Sequence, residues 1–151
     1  MVYILVSILI VFQNKKEKQL IDETLNNLHI YASKADGKKY LSLFDDNAIF
    51  YGTDAKERWH IDEFSKYALN RFSSGTGWTY IPIKRNIYIN DKTAWFDEEL
   101  ENEKYGIFRG TGVLIKKNNK WYITQYNLLL PIPNDLLIDY SKEIKRFLKN
   151  E

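Results

Sequence analysis

Two neighbouring carboxylates, Asp97 and Glu98, are the side chains best suited to proton-transfer chemistry. They stand in the run TAWFDEEL at 93–100, where strand alternation places them on opposite faces of a sheet. Burial of Glu98 among aromatic residues would raise its pKa and make it a general base, whereas pairing with Arg85 would lower that pKa again. We take Glu98 and Asp97 as candidate catalytic residues. The alternative for Glu98 is an ion pair near an open rim.

Further side chains of the predicted inner sheet face could line a binding pocket. Phe96 and Phe108 would supply apolar walls, and Arg85 would supply a charged group. Gln125 and Asn127 would add amides, and Asn127 could orient a water or a ligand carbonyl although it cannot take a proton. The alternative for Asn127 is a structural amide whose hydrogen bonds are satisfied within the fold.

A tryptophan and a tyrosine outside the sheet complete the predicted pocket. Trp59 follows Glu57 and Arg58 in the loop before the third predicted helix, where it could form a lid or a wall. The alternative is that Trp59 covers the core, with Glu57 and Arg58 ion-paired around it. Tyr40 offers a phenol from the second predicted helix, and His60 could assist the start of the third.

The opposite, outer sheet face carries a different set of side chains. Asp97 and Arg109 would face each other across two strands, flanked by Trp95 and Tyr126. Aromatic and arginine side chains are enriched at interfaces, so we expect a homodimer through this outer face. The alternative exchanges the two faces: Arg109 then binds an anionic ligand, and Asp97 serves as the base.

Several classes of site are excluded by what the chain lacks. It has no cysteine, which excludes disulfides, cysteine nucleophiles and thiolate zinc sites. Its two histidines, His29 and His60, are too scattered for a metal site, and no phosphate-binding fingerprint occurs. Its net charge of +2 gives no basic footprint for nucleic acid. We therefore expect a small-molecule ligand, with no metal, no cofactor and no nucleic acid.

The first 12 residues, MVYILVSILIVF, contain no charge and are followed by a lysine-rich run. They are too few to cross a bilayer as a helix, which needs about 20 apolar residues. We predict that 1–17 is an apolar segment, either a signal peptide or an anchor, of an exported or membrane-tethered protein. The alternative is a buried first strand or helix of a cytoplasmic protein. Residues 18–151 have the length of one domain.

The hydrophobic pattern predicts helices first and strands later. Helices are expected at 18–34, 38–44 and 62–72, a short strand at 48–52, a polar loop at 54–59, long strands at 78–89, 93–100, 105–116 and 121–130, and a last helix capped by Asn134. Pro131 and Pro133 end the last strand. This order indicates an α+β fold with helices on one face of a curved antiparallel sheet.

Two tight turns set the predicted register of the sheet. A two-residue turn at Asn118-Asn119 pairs Gly112 with Gln125 and Gly110 with Asn127, and one at Asn90-Asp91 pairs Ala94 with Ile87 and Phe96 with Arg85. The small residues Ala94, Gly110 and Gly112 then leave room above the inner face. A one-residue bulge would exchange part of this assignment.

Five segments together carry a family resemblance. They are YLSLFDDNAIFYGTD at 40–54, ERW at 57–59, TAWFDEEL at 93–100, YGIFRGTGVL at 105–114 and KWYITQYNLLLPIPN at 120–134. The chain thereby resembles the SnoaL-like domains of the superfamily of nuclear transport factor 2, ketosteroid isomerase and scytalone dehydratase. This resemblance implies a cone of three helices and a curved sheet with an internal pocket, commonly dimerising through the sheet.

The resemblance implies no particular reaction, because the superfamily contains isomerases, cyclases, dehydratases, transport adaptors and catalytically silent binding domains. In the SnoaL-type cyclases a carboxylate near this point of the last strand looks like the base, and Asn127 stands there in this chain. We therefore predict a domain that binds a small apolar or aromatic molecule in its cone. The alternatives are a cofactor-independent isomerase, cyclase or dehydratase with a carboxylate base, and a dimerising interaction module.

Overall fold

The structure is a computed structural model that describes residues 2–149, with side chains from residue 13 onward. Its helices are α1 (Val2–Ser33), α2 (Gly37–Leu41), α3 (Ile61–Ser73) and α4 (Leu137–Leu148). Its strands are β1 (Phe44–Tyr51), β2 (Arg58–His60), β3 (Ile81–Asn90), β4 (Thr93–Asn102), β5 (Gly106–Lys117) and β6 (Lys120–Leu129). A 3₁₀ turn, Asn134–Leu136, precedes α4.

The first helix, α1, is continuous, so the helix predicted at 18–34 begins well before its expected start. Ile21, Leu25 and Leu28 are buried along one stripe, as the helical spacing predicts. The predicted leader or anchor falls mainly on 1–12, whose side chains lie outside those described. None of the described helices combines the length and the apolar content needed to span a membrane.

The six strands form one curved, unclosed sheet in the order β2-β1-β6-β5-β4-β3. β3 to β6 form the predicted antiparallel meander, while β1 runs parallel to β6 and makes the sheet mixed. β2, at the end of the predicted polar loop, pairs with β1 through Trp59 and Phe50. The predicted α+β fold, with helices before the meander and a helix after it, is confirmed.

Of the two hairpin turns with a predicted position, one forms at the predicted residues and the other forms one residue later. Residues 118–119 form the predicted two-residue turn, with φ of 49° and 60°. The turn between β3 and β4 is Asp91-Lys92, one residue later than predicted. Arg85 therefore lies opposite Glu98 and not Phe96. Moving the turn by one residue changes the pairing of β3 with β4 by two residues. Since side chains alternate with a period of two, the β4 side chains keep their predicted faces.

The last strand, β6, contains a bulge that reverses the predicted faces of its second half. Val113 pairs with Gln125 and Leu114 pairs with Ile123, which leaves Thr124 outside the ladder. Since side chains alternate with a period of two, one extra residue exchanges inward and outward positions beyond it.

The core between the helices and the sheet is rich in aromatic rings. Phe50 of β1 stacks on Phe64 of α3 with ring centroids 3.9 Å apart. Tyr40 of α2 packs against Phe44 and Phe72, each at 5.4 Å. Aromatic pairs at such distances stabilise a fold beyond the area that they bury. These contacts hold α2 and α3 over β1 and so position the side chains of the site.

The C-terminal helix, α4, lies apart from this core. None of its residues is buried, and Ile138 and Phe147 are 70% and 63% exposed. The predicted helix is present, but Asn134 begins the preceding 3₁₀ turn and no side chain caps α4. Pro131 and Pro133 follow the end of β6, as the sequence predicts.

Candidate functional site

A buried carboxylate lies on the inner sheet face. Glu98 of β4 is 2% exposed. The hydroxyl of Tyr126 donates to its Oε1 at 2.9 Å, and Nε2 of His29 lies 3.0 Å from the same oxygen. Nε of Arg85 donates to Oε2 at 2.8 Å. A buried charge is tolerated only when it is paired and hydrogen-bonded, and both oxygens of Glu98 meet that condition.

The pKa of Glu98 lies below its ordinary value. Burial by itself would raise the pKa, but the hydrogen bonds and charges of His29 and Arg85 outweigh burial. Glu98 is therefore ionised at neutral pH. The ion pair with Arg85 that the sequence offered as an alternative is present, but it lies deep in the fold and not at an open rim.

Arg85 connects this carboxylate to α1. Its Nη2 lies 2.7 Å from Oε2 of Glu98, and its Nη1 donates to Asp22 at 2.6 Å and to Asn26 at 2.8 Å. Its side chain is 6% exposed. These contacts use the guanidinium to hold α1 against β3 and β4. Arg85, which the sequence predicts as a ligand-binding residue, lies outside the wall of the aromatic cavity.

Two glycines of β5 make room for this cluster. A Cβ at Gly110 would lie 2.6 Å from the hydroxyl of Tyr126 and 2.8 Å from Oε1 of Glu98. A Cβ at Gly112 would lie 2.7 Å from the ring of Phe96. The space predicted above the small residues is therefore filled by side chains of the protein.

A cavity of about 150 Å³ lies beside the cluster, toward the helices. Most of its wall is aromatic: the rings are Tyr40, Phe50, Trp59, Phe64, Tyr67, Trp78, Tyr80 and Tyr126. The remaining wall residues are Leu28, His29, Ala32, Gly52, Thr53, Glu57 and Leu128. The wall includes side chains from three helices and three strands, namely α1, α2, α3, β1, β2 and β6. The cavity therefore exists only in the folded domain.

Trp59 and Tyr40 lie in this wall, as their prediction as pocket residues requires. Trp59 stacks on Tyr67 at 4.9 Å and on Phe64 at 5.9 Å. Tyr40 is 3% exposed. Both rings are therefore fixed by neighbouring rings before any ligand arrives.

The loop before α3 does not contain the predicted ion pair around Trp59. Oε2 of Glu57 accepts a hydrogen bond from the backbone N–H of Asp54 at 3.1 Å. Nε of Arg58 donates to the hydroxyl of Tyr51 at 3.2 Å. The side chain of His60 caps α3 by accepting from the N–H of residue 62, which agrees with its prediction as a helix-start residue.

Two phenols of the wall, Tyr40 and Tyr80, have hydroxyls without a hydrogen-bond partner among the residues that the structure describes. Burial raises the pKa of both phenols. Both therefore remain protonated at neutral pH and can donate a hydrogen bond into the cavity.

His29 reaches the cavity from α1 and is 7% exposed. An ionised carboxylate only accepts hydrogen bonds, so Nε2 of His29 donates to Glu98. In the neutral form of the ring, the lone pair lies on Nδ1. The sequence does carry a signal for this residue. Asp22, Asn26 and His29 form a polar stripe at helical spacing beside the buried apolar one.

Phe96 and Phe108, which the sequence predicts as ligand-binding residues, are buried but do not line the aromatic cavity. Phe96 lies over Gly112. Phe108 packs edge-on against Tyr80, with ring centroids 5.1 Å apart. Both rings support the wall from behind.

Gln125 and Asn127 point to the outer face, so their prediction as inner-face ligand residues is wrong. The bulge at Thr124 supplies the reason, because it turns the next inward position to Tyr126. Tyr126 is 3% exposed and bonded to Glu98, so its prediction as an outer-face residue is wrong as well.

Asp97 and Arg109 both lie on the outer face but do not pair. Asp97 lies opposite Thr111 and accepts a hydrogen bond from Asn86 at 2.9 Å, while Arg109 lies opposite Glu99. Neither residue lines the cavity, so the prediction of Asp97 as a base acting in the cone is not supported by its position.

The segment before β3 supplies two rings that were expected in a strand. Trp78 and Tyr80 precede β3, and the backbone N–H of Trp78 donates to the carbonyl of Ala32 at 3.2 Å. A Cβ at Gly77 would lie 1.7 Å from that carbonyl oxygen. Glycine at this position lets the segment lie directly on α1, which places Trp78 in the cavity wall.

Between residues 2 and 149, no cluster of His, Asp and Glu side chains is arranged to hold a metal ion. The polar groups in and beside the cavity include phenols, the imidazole of His29, the carboxylate of Glu57 and, behind the wall, the ionised carboxylate of Glu98.

The sequence profile of the SnoaL-like domain matches residues 21–133. A solved structure of a candidate NTF2-like dehydratase from Streptomyces avermitilis has a TM-score of 0.70 at 8% identity, covering 80% of this chain and 99% of its own. A candidate scytalone dehydratase from Novosphingobium aromaticivorans has a TM-score of 0.67 at 13% identity, covering 81% and 89%.

A protein of unknown function with a cystatin-like fold from Nostoc punctiforme is also similar, with a TM-score of 0.64 at 18% identity over 76% of this chain and 90% of its own. These identities support a shared fold and carry no activity to this chain. No protein with a curated function matches the chain.

Proposed function

Because the chain belongs to the SnoaL-like domain family, we propose that it acts through its cone, as a domain that binds one small apolar or aromatic molecule. The observation that carries this proposal is the aromatic wall of the cavity beside Glu98. Rings of this kind offer apolar area and favourable offset or edge contacts to a flat ligand.

The volume of the cavity limits the size of the ligand. The cavity measures about 150 Å³, and an engineered apolar cavity of about that volume in another protein accepts benzene. The expected ligand is therefore a single ring with few substituents, and a fused polycycle would require the wall to move.

The test uses native mass spectrometry of gently purified protein, together with thermal shifts across a panel of single-ring compounds. Ala32 lines the cavity and is 5% exposed, so Ala32→Leu should fill the cavity and abolish the shift. Ser33→Leu, at the exposed neighbouring position, is the matched control. Empty protein with no shift from any compound would contradict the proposal.

A second candidate function is cofactor-independent proton transfer, and the His29–Glu98 pair supports it. Nδ1 of His29 has no partner among the described residues, and His29 lines the cavity. In this function His29 would exchange a proton with the ligand, and Glu98 would position the imidazole by accepting from Nε2. This differs from the sequence prediction, in which a carboxylate itself was the base.

Deuterium exchange at the α-carbons of cyclohexanone, followed by NMR in D₂O, tests the second candidate. Exchange above the buffer rate should be lost in His29→Asn and kept in Asp97→Asn, since Asp97 lies on the outer face. If His29→Asn exchanges as fast as the unaltered protein, the assignment of His29 fails.

A further inference from the structure

Two hydrogen-bond donors of the cavity wall have no partner among the described residues, and they limit the chemical class of the ligand more closely than the cavity volume does. The hydroxyl of Tyr126 already donates to Glu98, whereas the hydroxyls of Tyr40 and Tyr80 have no partner among the described residues. Neither hydroxyl is among the described side-chain atoms that are both fully buried and without a partner, so each keeps some accessible surface. A ligand that supplies an acceptor there adds a hydrogen bond.

The rings of these two tyrosines are held in place by their neighbours. Tyr40 packs edge-on against Phe72 with ring centroids 5.4 Å apart, and Tyr80 packs edge-on against Phe108 at 5.1 Å. The two phenols are near enough for Tyr80 to contribute to the raised pKa of Tyr40. Donors whose rings are fixed in this way lose little further conformational freedom when a ligand oxygen accepts from them.

The charges of the cavity wall disfavour an anionic ligand. No Lys or Arg belongs to the described wall, and Glu57 is a carboxylate within it. Arg85 lies outside the wall, and its charge is already matched by Glu98 and Asp22. An anion would therefore lose its hydration without gaining a counter-charge.

We propose that the ligand is a neutral, single-ring molecule with an oxygen acceptor, such as a phenol or a ring carbonyl, and that its oxygen accepts hydrogen bonds from Tyr40 and Tyr80. This inference rests on the proposed binding function and adds the chemical class of the ligand. The apolar part of the ring lies among the aromatic side chains.

The test is an NMR titration that follows the indole N–H signals of Trp59 and Trp78, both of which line the cavity. Phenol and toluene carry a hydroxyl and a methyl group, respectively, on the same ring, while benzamide and benzoate differ mainly in charge. The double variant Tyr40→Phe plus Tyr80→Phe removes both hydroxyls and keeps both rings. Tyr105→Phe, at a 58% exposed position outside the wall, is the control.

Two lost hydrogen bonds should weaken phenol binding by about tenfold or more in the double variant, with toluene binding unchanged. Benzamide should bind more tightly than benzoate. Equal phenol affinity in the double variant, or tighter binding of benzoate, would overturn the ligand class while leaving ring binding intact. If none of the four compounds binds, toluene included, both the ligand class and the proposed function fail.

Discussion

The hydroxyl of Tyr126 lies 2.9 Å from Oε1 of Glu98, and the two residues come from β6 and β4, which do not neighbour each other in the sheet. The strand between them, β5, carries Gly110 at the crossing point. A side chain there would stand between the two groups. The glycines of the Arg-Gly-x-Gly segment therefore allow side chains of β4 and β6 to meet across β5, and they do not leave an open space above the sheet.

Gly110→Ala is expected to destabilise the fold. The added Cβ would lie 2.6 Å from the hydroxyl of Tyr126, so the strands or the side chains must shift. Overpacking of this kind costs about 1–3 kcal/mol of the free energy of unfolding. Urea denaturation measures it, with Thr111→Ala on the adjacent outward position as the control. An unchanged midpoint for Gly110→Ala would show that the contact is not required.

Glu98→Gln is expected to destabilise the fold strongly, since it leaves Arg85 buried without its main counter-charge. Removing one partner of a buried ion pair costs about 3–5 kcal/mol. Glu99→Gln is the matched control, because Glu99 is the next residue of the same strand and is exposed. Equal losses in the two variants, measured by urea denaturation, would contradict the buried network.

The stability of the protein is expected to fall in acid. The pKa of Glu98 is lower in the folded chain than its ordinary value of 4.5, so the unfolded chain binds the proton more readily. The stabilisation is complete above that ordinary value and is lost as the pH falls through the folded-state pKa. Unfolding measured between pH 7 and pH 3 should show this decline in Glu99→Gln and a shallower one in Glu98→Gln. Parallel curves for the two variants would argue against Glu98 as a source of the loss of stability in acid.

We propose that the chain forms a homodimer through its outer sheet face. Trp95 stacks on Tyr88 with ring centroids 5.8 Å apart, and the two side chains are 46% and 48% exposed. Exposed aromatic pairs of this kind are typical of interface anchors. Light scattering after gel filtration should report twice the chain mass of 18.0 kDa.

Trp95→Ala should shift that mass toward the monomer. Tyr105→Ala removes an aromatic ring that is 58% exposed in the loop between β4 and β5, and it should leave the mass unchanged. If Trp95→Ala keeps the mass of the unaltered protein, the interface does not lie at this aromatic pair.

The helical stripe of α1 and the inward and outward faces of β4 can be predicted from the spacing of residues along the chain. Ile21, Leu25 and Leu28 are buried at helical spacing, and Phe96 and Glu98 face inward by strand alternation. These assignments survive an error in turn position, because a shift of two residues preserves the face. The sequence also contains the polar stripe that ends in His29, but only contact with Glu98 gives that stripe its meaning.

By itself, the sequence determined the helical stripe of α1, the strands of the meander and the inward carboxylate, because each depends on a period that neighbouring residues share. The tertiary structure decided which residues of β6 join that carboxylate. The bulge at Thr124 turns Tyr126 inward and Asn127 outward. Its position depends on how β5 and β6 pack over the whole sheet, and no single stretch of residues encodes that packing.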